Sequence, residues 1–287
     1  MGGTAEMVRF SERALVDVTG AEAETFLQAI VTTDLGALAA DEAKPGALLT
    51  PQGKIQFDFL VSRIEDGLRF ELPAAIAADF VKRLTLYRLR AKAEITLLPE
   101  SLVSVCWGEE SASSQSDSSR RDARFPVELN VRRVYGHAEG TDDAGAWTRL
   151  RAEHGVAEGG ADFAYGDAFP HDVNFDQTGG VSFRKGCFIG QEVVSRMQHR
   201  GTARRRVLTA RAETPLPAMG TPITAGGREI GAMGSSSGGV GLALARIDRV
   251  KDAMDAGTPI LAGETALTLS LPPRVTFGFP EATDTGA

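Results

Sequence analysis

The residues whose types and spacing could do chemistry lie in one run, Lys185-Gly186-Cys187-Phe188-Ile189-Gly190-Gln191-Glu192. A cysteine reacts as its thiolate, and helix N-termini and adjacent cations lower a thiol pKa from about 8.5 to roughly 3.5–7.5. Arg184 and Lys185 precede Cys187, and the spacing predicts a helix from Gln191 to about His199. The first turn of such a helix offers free N–H groups and the positive end of the macrodipole. Gly186 and Gly190 bracket the thiol, and glycine accepts positive φ and close approach of another backbone or a ligand. The run therefore points to a reactive thiol at Cys187 with Lys185 beside it. The competing reading is a small, buried, apolar cysteine. Cys106 lies in an alternating apolar run and reads as inert core.

Other polar residues could line a site. The strand predicted after Lys54 puts Ile55, Phe57, Phe59 and Val61 on one face and Gln56, Asp58, Leu60 and Ser62 on the other, so Asp58 faces away from the apolar row. Its plain reading is a solvated carboxylate. Asn174 reads as an Asx-turn residue. Arg88, Arg90 and Lys92 alternate and share a face of an extended segment, as a solvated basic face or an anion contact. Arg200, Arg204, Arg205 and Arg206 form a basic cluster in an acidic chain, read as a solvated run or as the lip of a channel for an anionic tail.

The positioning elements follow from periodicity and turn signals. Arg9 to Val18 is extended. Thr19 and Glu22 have capping-box spacing ahead of a helix with Phe26, Leu27, Ile30 and Val31 on one face. Pro51 and Gly53 mark a turn between strands, and Asp66-Gly67 marks a hairpin. Pro73 opens a helix with an Ile76, Phe80, Leu84 stripe. Ala93 to Leu97 and Leu102 to Trp107 alternate as strands, and Arg124 to Tyr135 resumes the alternation. Ser111 to Ser119 reads as a mobile serine-rich loop. Trp147 to His154 is a helix stopped by Gly155. From Val207 to Leu271 short strands separated by Gly and Pro predict a small β-barrel.

The run around Cys187 carries a resemblance. Gly180-Val181-Ser182-Phe183, Lys185-Gly186-Cys187-Phe188, Gly190-Gln191-Glu192, Arg196 and Arg200-Gly201 resemble the signature of YgfZ-type folate-binding proteins, relatives of the glycine-cleavage aminomethyltransferase, or T-protein. Phe188 stands where that signature usually has Tyr, so any role of a phenol there is lost. Weaker likeness runs from about Leu49 to Arg246-Ile247-Asp248 and covers most of the chain.

The resemblance implies an α+β fold of the T-protein type, with residues 1–203 as the folate-binding region, 204–275 as a C-terminal β-barrel and 276–287 as a frayed tail. It implies a tetrahydrofolate-type ligand, held by Asp58, Asn174, Gln191, Glu192 and Arg200, and a chemical role for Cys187 and Lys185. Asp58 matches by position a ligand-facing carboxylate of the T-proteins. It further implies a part in assembly or repair of iron–sulfur enzymes, with assembly or client proteins as partners and tRNA modification supported indirectly. Whether a transferase-like reaction is catalysed stays open. An aminomethyltransferase proper is a second reading, weakened because those proteins are longer and lack the Lys-Gly-Cys element. A non-catalytic scaffold for iron–sulfur carriers is a third.

Composition bounds these readings. At 287 residues the chain can hold two domains, and 43% hydrophobic with 24% charged residues is ordinary for a globular protein. A net charge of −7 argues against nucleic acid as a direct partner. Two cysteines and four scattered histidines make no disulfide framework and no metal-ligand spacing. No apolar run approaches the roughly 20 residues that span a bilayer. The first residues lack a basic region followed by an apolar one, so a cytoplasmic protein without membrane contact is expected. Dinucleotide-loop, Walker A and nucleophile-elbow patterns are missing.

Overall fold

The structure, a computed structural model, describes residues 6–99, 102–108, 118–136, 140–201 and 203–280. The chain divides into two compact units, 1–144 with 178–191, and 145–177 with 192–287.

The first unit carries nine strands: β1 (Glu6–Phe10), β2 (Arg13–Thr19), β3 (Glu42–Leu49), β4 (Ile55–Ile64), β5 (Gly67–Pro73), β6 (Glu94–Leu97), β7 (Val103–Trp107), β8 (Ser119–Asp122) and β9 (Arg132–Tyr135). They form one sheet in the order β1-β7-β9-β8-β3-β4-β5-β2-β6. One face is covered by helices α1 (Ala23–Gln28) and α2 (Ala74–Arg88). The β4 row behaves as its alternation predicts: Phe57, Phe59 and Val61 join the core with Phe70. Phe80 of α2 sits with its ring centroid 5.4–5.7 Å from those of Phe57, Phe59 and Phe70, in the offset and edge contacts aromatic pairs favour.

Several local expectations are corrected. Thr19 does not cap α1. It ends β2, Gly20 turns the chain at φ 110°, and Glu22 takes the N-cap position without a side-chain cap. The Glu22 carboxylate instead accepts the backbone N–H of Lys92 at 2.6 Å. Arg88 is the last residue of α2, so Arg88, Arg90 and Lys92 do not share an extended face. Only the last part of the 124–135 segment, Arg132–Tyr135, is strand, because Phe125 and Pro126 turn the chain into a 3-10 turn at Val127–Leu129. Of the serine-rich loop, residues 111–117 lie outside the described residues, and Ser119 is not loop but the buried start of β8.

The other face of the sheet is not solvated. Asp58, Leu60 and Ser62 are all buried there. Glu71 of β5 receives hydrogen bonds from Arg13 (2.9 Å) and from the Tyr135 hydroxyl of β9 (3.2 Å), and pairs with Arg133 at 3.2 Å. Because β5 and β9 are separated by three strands in the sheet order, this contact means the sheet curls over its polar face. Asp122 completes the layer, paired with Arg124 at 2.7 Å and Arg133 at 3.2 Å. Burial works to raise the Asp122 pKa, but the two guanidiniums outweigh it and hold the carboxyl below its ordinary value. Tyr135 is pushed well up by burial and by Glu71.

The second unit holds α3 (Gly145–His154), α4 (Phe175–Thr178) and nearly all of α5 (Gln191–Arg200), then β10 (Arg205–Arg211), β11 (Pro222–Ala225), β12 (Arg228–Ser237), β13 (Val240–Arg246), α6 (Ile247–Asp255), β14 (Ile260–Ala262), β15 (Thr265–Ala266) and β16 (Thr268–Ser270). Its seven strands form an antiparallel, near-closed barrel in the order β15-β14-β11-β12-β13-β10-β16. Residues 145–177 pack with this barrel because Asp162, buried, accepts from Arg151 of α3 (2.8 Å) and from the Ser235 backbone and hydroxyl of β12 (2.7 and 2.6 Å). Helix α6 was not read from the sequence, although Ile247, Val250 and Ala253 are its buried stripe. The start of the expected frayed tail is anchored. Thr276 bonds Gln177 through its backbone and hydroxyl, both at 2.8 Å, and residues 281–287 lie outside the described residues.

Breaking a buried pair by removing one partner costs about 3–5 kcal/mol, so Asp122→Asn is expected to lower stability on that order at pH 7. A carboxyl with a depressed folded pKa stabilises above its unfolded value and loses that contribution as pH falls through the folded one. The deficit of the variant should therefore shrink below about pH 4. Urea unfolding of both proteins at pH 7 and pH 3 measures it, and an unchanged gap would contradict the assignment.

Candidate functional site

The signature loop is held by contacts from distant parts of the first unit. The Thr32 hydroxyl donates to the Gly180 carbonyl at 2.6 Å and accepts the Ala47 N–H of β3 at 2.8 Å. The Ser182 N–H returns a bond to the Thr32 carbonyl at 2.9 Å. At the far end of the loop, Gly190 adopts φ 77°, and a Cβ there would lie 2.5 Å from the Thr50 carbonyl and 3.0 Å from Gly53 Cα. Gly190 is thus required twice, for its backbone and for its contact with the β3–β4 turn. Gly186, at φ 96°, has open space around it and is required for its backbone alone.

Lys185 is the anchor between these ends. Its Nζ donates to the carbonyls of Gln28, at 2.6 Å, and Val31. Gln28 ends α1, where a cation complements the helix dipole, and Val31 lies three residues beyond it. The ammonium also lies 5.4 Å from the centroid of the buried Phe188 ring. Burial lowers the Lys185 pKa from 10.5 to about 8, with Asp34 pulling the other way. The lysine turns inward, and Cys187, two residues on, is exposed. Gln191 closes the loop locally: its Oε1 accepts the Phe188 N–H at 3.3 Å, and its own N–H reaches the Phe188 carbonyl at 3.2 Å.

Lys185, Cys187 and Gln191 thus share one loop, seated on the turn that leads into the strand of Asp58. Asp58 itself is 8% exposed, paired in register with Ala47, and so is not the solvated strand residue of the plain reading. Asn174, Glu192 and Arg200 belong to the second unit. Asn174 is buried in the left-handed region at φ 60°, and its amide donates to the Val207 carbonyl of β10 at 3.0 Å. Glu192 is exposed and pairs with Arg196 one turn on, at 2.9 Å; Arg200 is exposed. The basic cluster divides: Arg200 and Arg204 stay exposed, Arg204 and Arg206 line one cavity, and Arg205 and Arg206 are paired. Arg205 pairs with Asp167 and Asp172 (both 2.8 Å), and buried Arg206 with Asp176 (2.6 Å). Arg206 also stacks 4.2 Å over Phe277. Those acids lie some thirty residues upstream, which is why sequence alone left the arginines unpartnered. Among the described residues, no three His, Cys, Asp or Glu side chains are grouped to hold a metal ion, and no helix is long and apolar enough to cross a membrane.

Four likenesses bear on this arrangement. Residues 204–277 match the family described as CAF17, C-terminal beta-barrel domain. The mitochondrial iron-sulfur cluster assembly factor IBA57 homolog of Chaetomium globosum is 32% identical over 245 residues, which is 71% of this chain and 55% of the relative. The protein of the same name from Pyricularia oryzae is 31% identical over 225 residues, 71% of this chain and 57% of the relative. Over 71% of its length the chain is similar to these IBA57 homologs, and its C-terminal barrel matches the CAF17 family model. It spans little more than half the length of these curated relatives. The crystal structure of glycine cleavage system aminomethyltransferase T from Bartonella henselae superposes with a TM-score of 0.73 over 94% of this chain and 86% of that one, at 18% identity. That likeness establishes the T-protein fold expected from the signature.

Two outcomes follow from the exposure and packing of that loop. Iodoacetamide should label Cys187 well before Cys106, which is 1% exposed in β7. Peptide mass spectrometry over a labelling time course checks this, and the reverse order would mean the loop is folded inward. Gly190→Ala forces a methyl into the Thr50 carbonyl and should cost roughly 1–3 kcal/mol. Gly186→Ala pays only for its backbone, about 1 kcal/mol. Denaturant midpoints of the two variants rank them, and equal losses would contradict the close approach at Gly190.

Proposed function

We propose that this protein serves the assembly or repair of iron–sulfur enzymes, with Cys187 as the thiol that meets the cluster or the client and a reduced folate as its cofactor. The observation that carries the reading is the exposed Cys187 on a loop whose neighbouring lysine is half-buried and bonded to the carbonyls of Gln28 and Val31 at and just after the end of α1. A cysteine kept only for packing would point where Lys185 points. The relatives' names supply the iron–sulfur context. Assembly or client proteins are its partners, and any effect on tRNA modification is indirect, through those clients.

Asp58 is the residue offered for the folate. A carboxylate accepts two parallel N–H bonds, as the amino-pyrimidinone edge of a reduced pterin presents them. Its burial would strengthen such bonds. Asn174, Gln191, Glu192 and Arg200 remain proposals of lower content: Asn174 already serves β10, and Glu192 already pairs with Arg196. The aminomethyltransferase reading has the T-protein fold in its favour and nothing at Cys187.

The test is complementation of a deletion strain of the source organism. Wild type should restore iron–sulfur enzyme activity, while Cys187→Ala, present at equal level, should not. Full rescue by Cys187→Ala would leave a scaffold. Calorimetry with tetrahydrofolate should show saturable heat, weakened about tenfold, or 1.4 kcal/mol, by Asp58→Ala. No heat at high micromolar folate would remove the cofactor from the account.

A further inference from the structure

The C-terminal end of α2 and the strand after it carry a feature that the folate and thiol chemistry leave unused. Between Phe80 and Ala93 the chain has five cations, Lys82, Arg83, Arg88, Arg90 and Lys92, and no carboxylate, although the whole chain has a net charge of −7. On the same stretch Leu86 is 61% exposed and Leu89 85% exposed, and Leu97 of β6 is 41% exposed. Among the described residues seven large apolar side chains are exposed, and three of them are these leucines. Strand β6 is the last in the nine-stranded sheet, so one side of its backbone has no neighbouring strand, and α2 packs beside it.

Leu89 is the least expected of these residues. It sits at the C-cap of α2 with φ 49° and ψ −104°, a conformation that glycine adopts freely and a leucine only with strain. A side chain that is both strained and solvated contributes nothing to this fold. The cations are disposed differently. Arg83 lies against the Tyr87 ring and Arg88 donates to the Ala93 carbonyl at 3.1 Å, whereas Arg90 and Lys92 are exposed. The carboxylates facing the patch are Asp79 and Glu94 at its margins and Glu22, which accepts the Lys92 N–H.

We propose that this edge, with Leu89 as the apolar anchor and Arg90 and Lys92 as the charged rim, is the docking site of an acidic partner protein that lays a strand or apolar side chain against β6. Charge decides the occupant: a positive patch draws acidic partners, and two such patches facing each other in a symmetric pair of copies would repel. An apolar centre with an arginine and lysine rim has the make-up of a protein interface, and an open sheet edge accepts an added strand. Nucleic acid would gain nothing from exposed leucines. The site is separate from Cys187 and stands whether or not folate binds.

The experiment places the photocrosslinker p-benzoylphenylalanine at position 89 of the full chain in the source cells. The expected result is one discrete adduct with an acidic protein, reduced about tenfold when Arg90→Glu and Lys92→Glu are added. That protein, purified, should bind wild type with a Kd that weakens as salt rises, because screening shortens from about 10 Å at 0.1 M to about 3 Å at 1 M. Leu89→Gly should raise the thermal midpoint of the chain and weaken the complex, a combination that a purely structural leucine would not give. The proposal is overturned by no protein adduct, by an adduct with a second copy, nucleic acid or lipid, by an adduct indifferent to charge reversal, or by undiminished binding of Leu89→Gly.

Discussion

The presentation of the thiol depends on one interaction, the burial of the Lys185 ammonium against the carbonyls of Gln28 and Val31. The first is the last carbonyl of a six-residue helix, too short to be stable alone, and the second lies just after it. The cation that satisfies them comes from a segment about 150 residues away, so α1 and the signature loop stabilise each other. Thr32 does the same from the other side, joining Gly180 to β3 through one hydroxyl. With both ends fixed and Phe188 buried, Cys187 is left facing outward together with Arg184 and Gly186. The lowered Lys185 pKa is a consequence of this arrangement, since burial of the charge is what the clamp requires.

The first unit combines two unlike faces on one sheet. The apolar face is packed by α1, α2 and the phenylalanine group around Phe80. The polar face holds Glu71, Asp122, Arg124, Arg133 and Tyr135 in a closed layer, with Asp58 buried on the same side of β4 as Leu60 and Ser62. Buried ionic layers contribute little net stability but are costly to half-break. This one fixes the curl of the sheet by joining β5 to β9, and with it the course of the strand that carries Asp58.

Much of this was legible in local sequence. The alternation in Ile55 to Val61, the Pro51 and Asp66-Gly67 turns, the Phe80 and Leu84 stripe and Gly155 each report a short-range rule, and each element formed. The glycines around Cys187 likewise announced a loop of special backbone. What sequence could not reveal were partners distant in the chain. Lys185 was read as a charge beside the thiol, while its bonds run to α1. Arg205 and Arg206 were read as a surface or a channel lip, while Asp167, Asp172 and Asp176 neutralise them. The plain reading of Asp58 as solvated fails because one strand cannot show that the sheet closes over its second face. Helix α6 was missed for a local reason: its buried stripe of Ile247, Val250 and Ala253 is brief and follows a strand without a capping signal.

The central claim is that the Lys185 clamp holds the loop that presents Cys187, and amide hydrogen exchange on wild type and Lys185→Met tests it most directly. The methionine keeps the length and apolar stem of the side chain and removes only the donors to Gln28 and Val31. The account predicts that amides of the 179–190 loop and of α1, Ser182 among them, exchange about ten- to a hundredfold faster in the variant, the factor for losing one to two hydrogen bonds to a charged group, while β4 and β5 are unchanged. Unaltered protection of the loop would contradict it, and loss of protection across the whole sheet would show the lysine to be a general core residue rather than the anchor of the thiol.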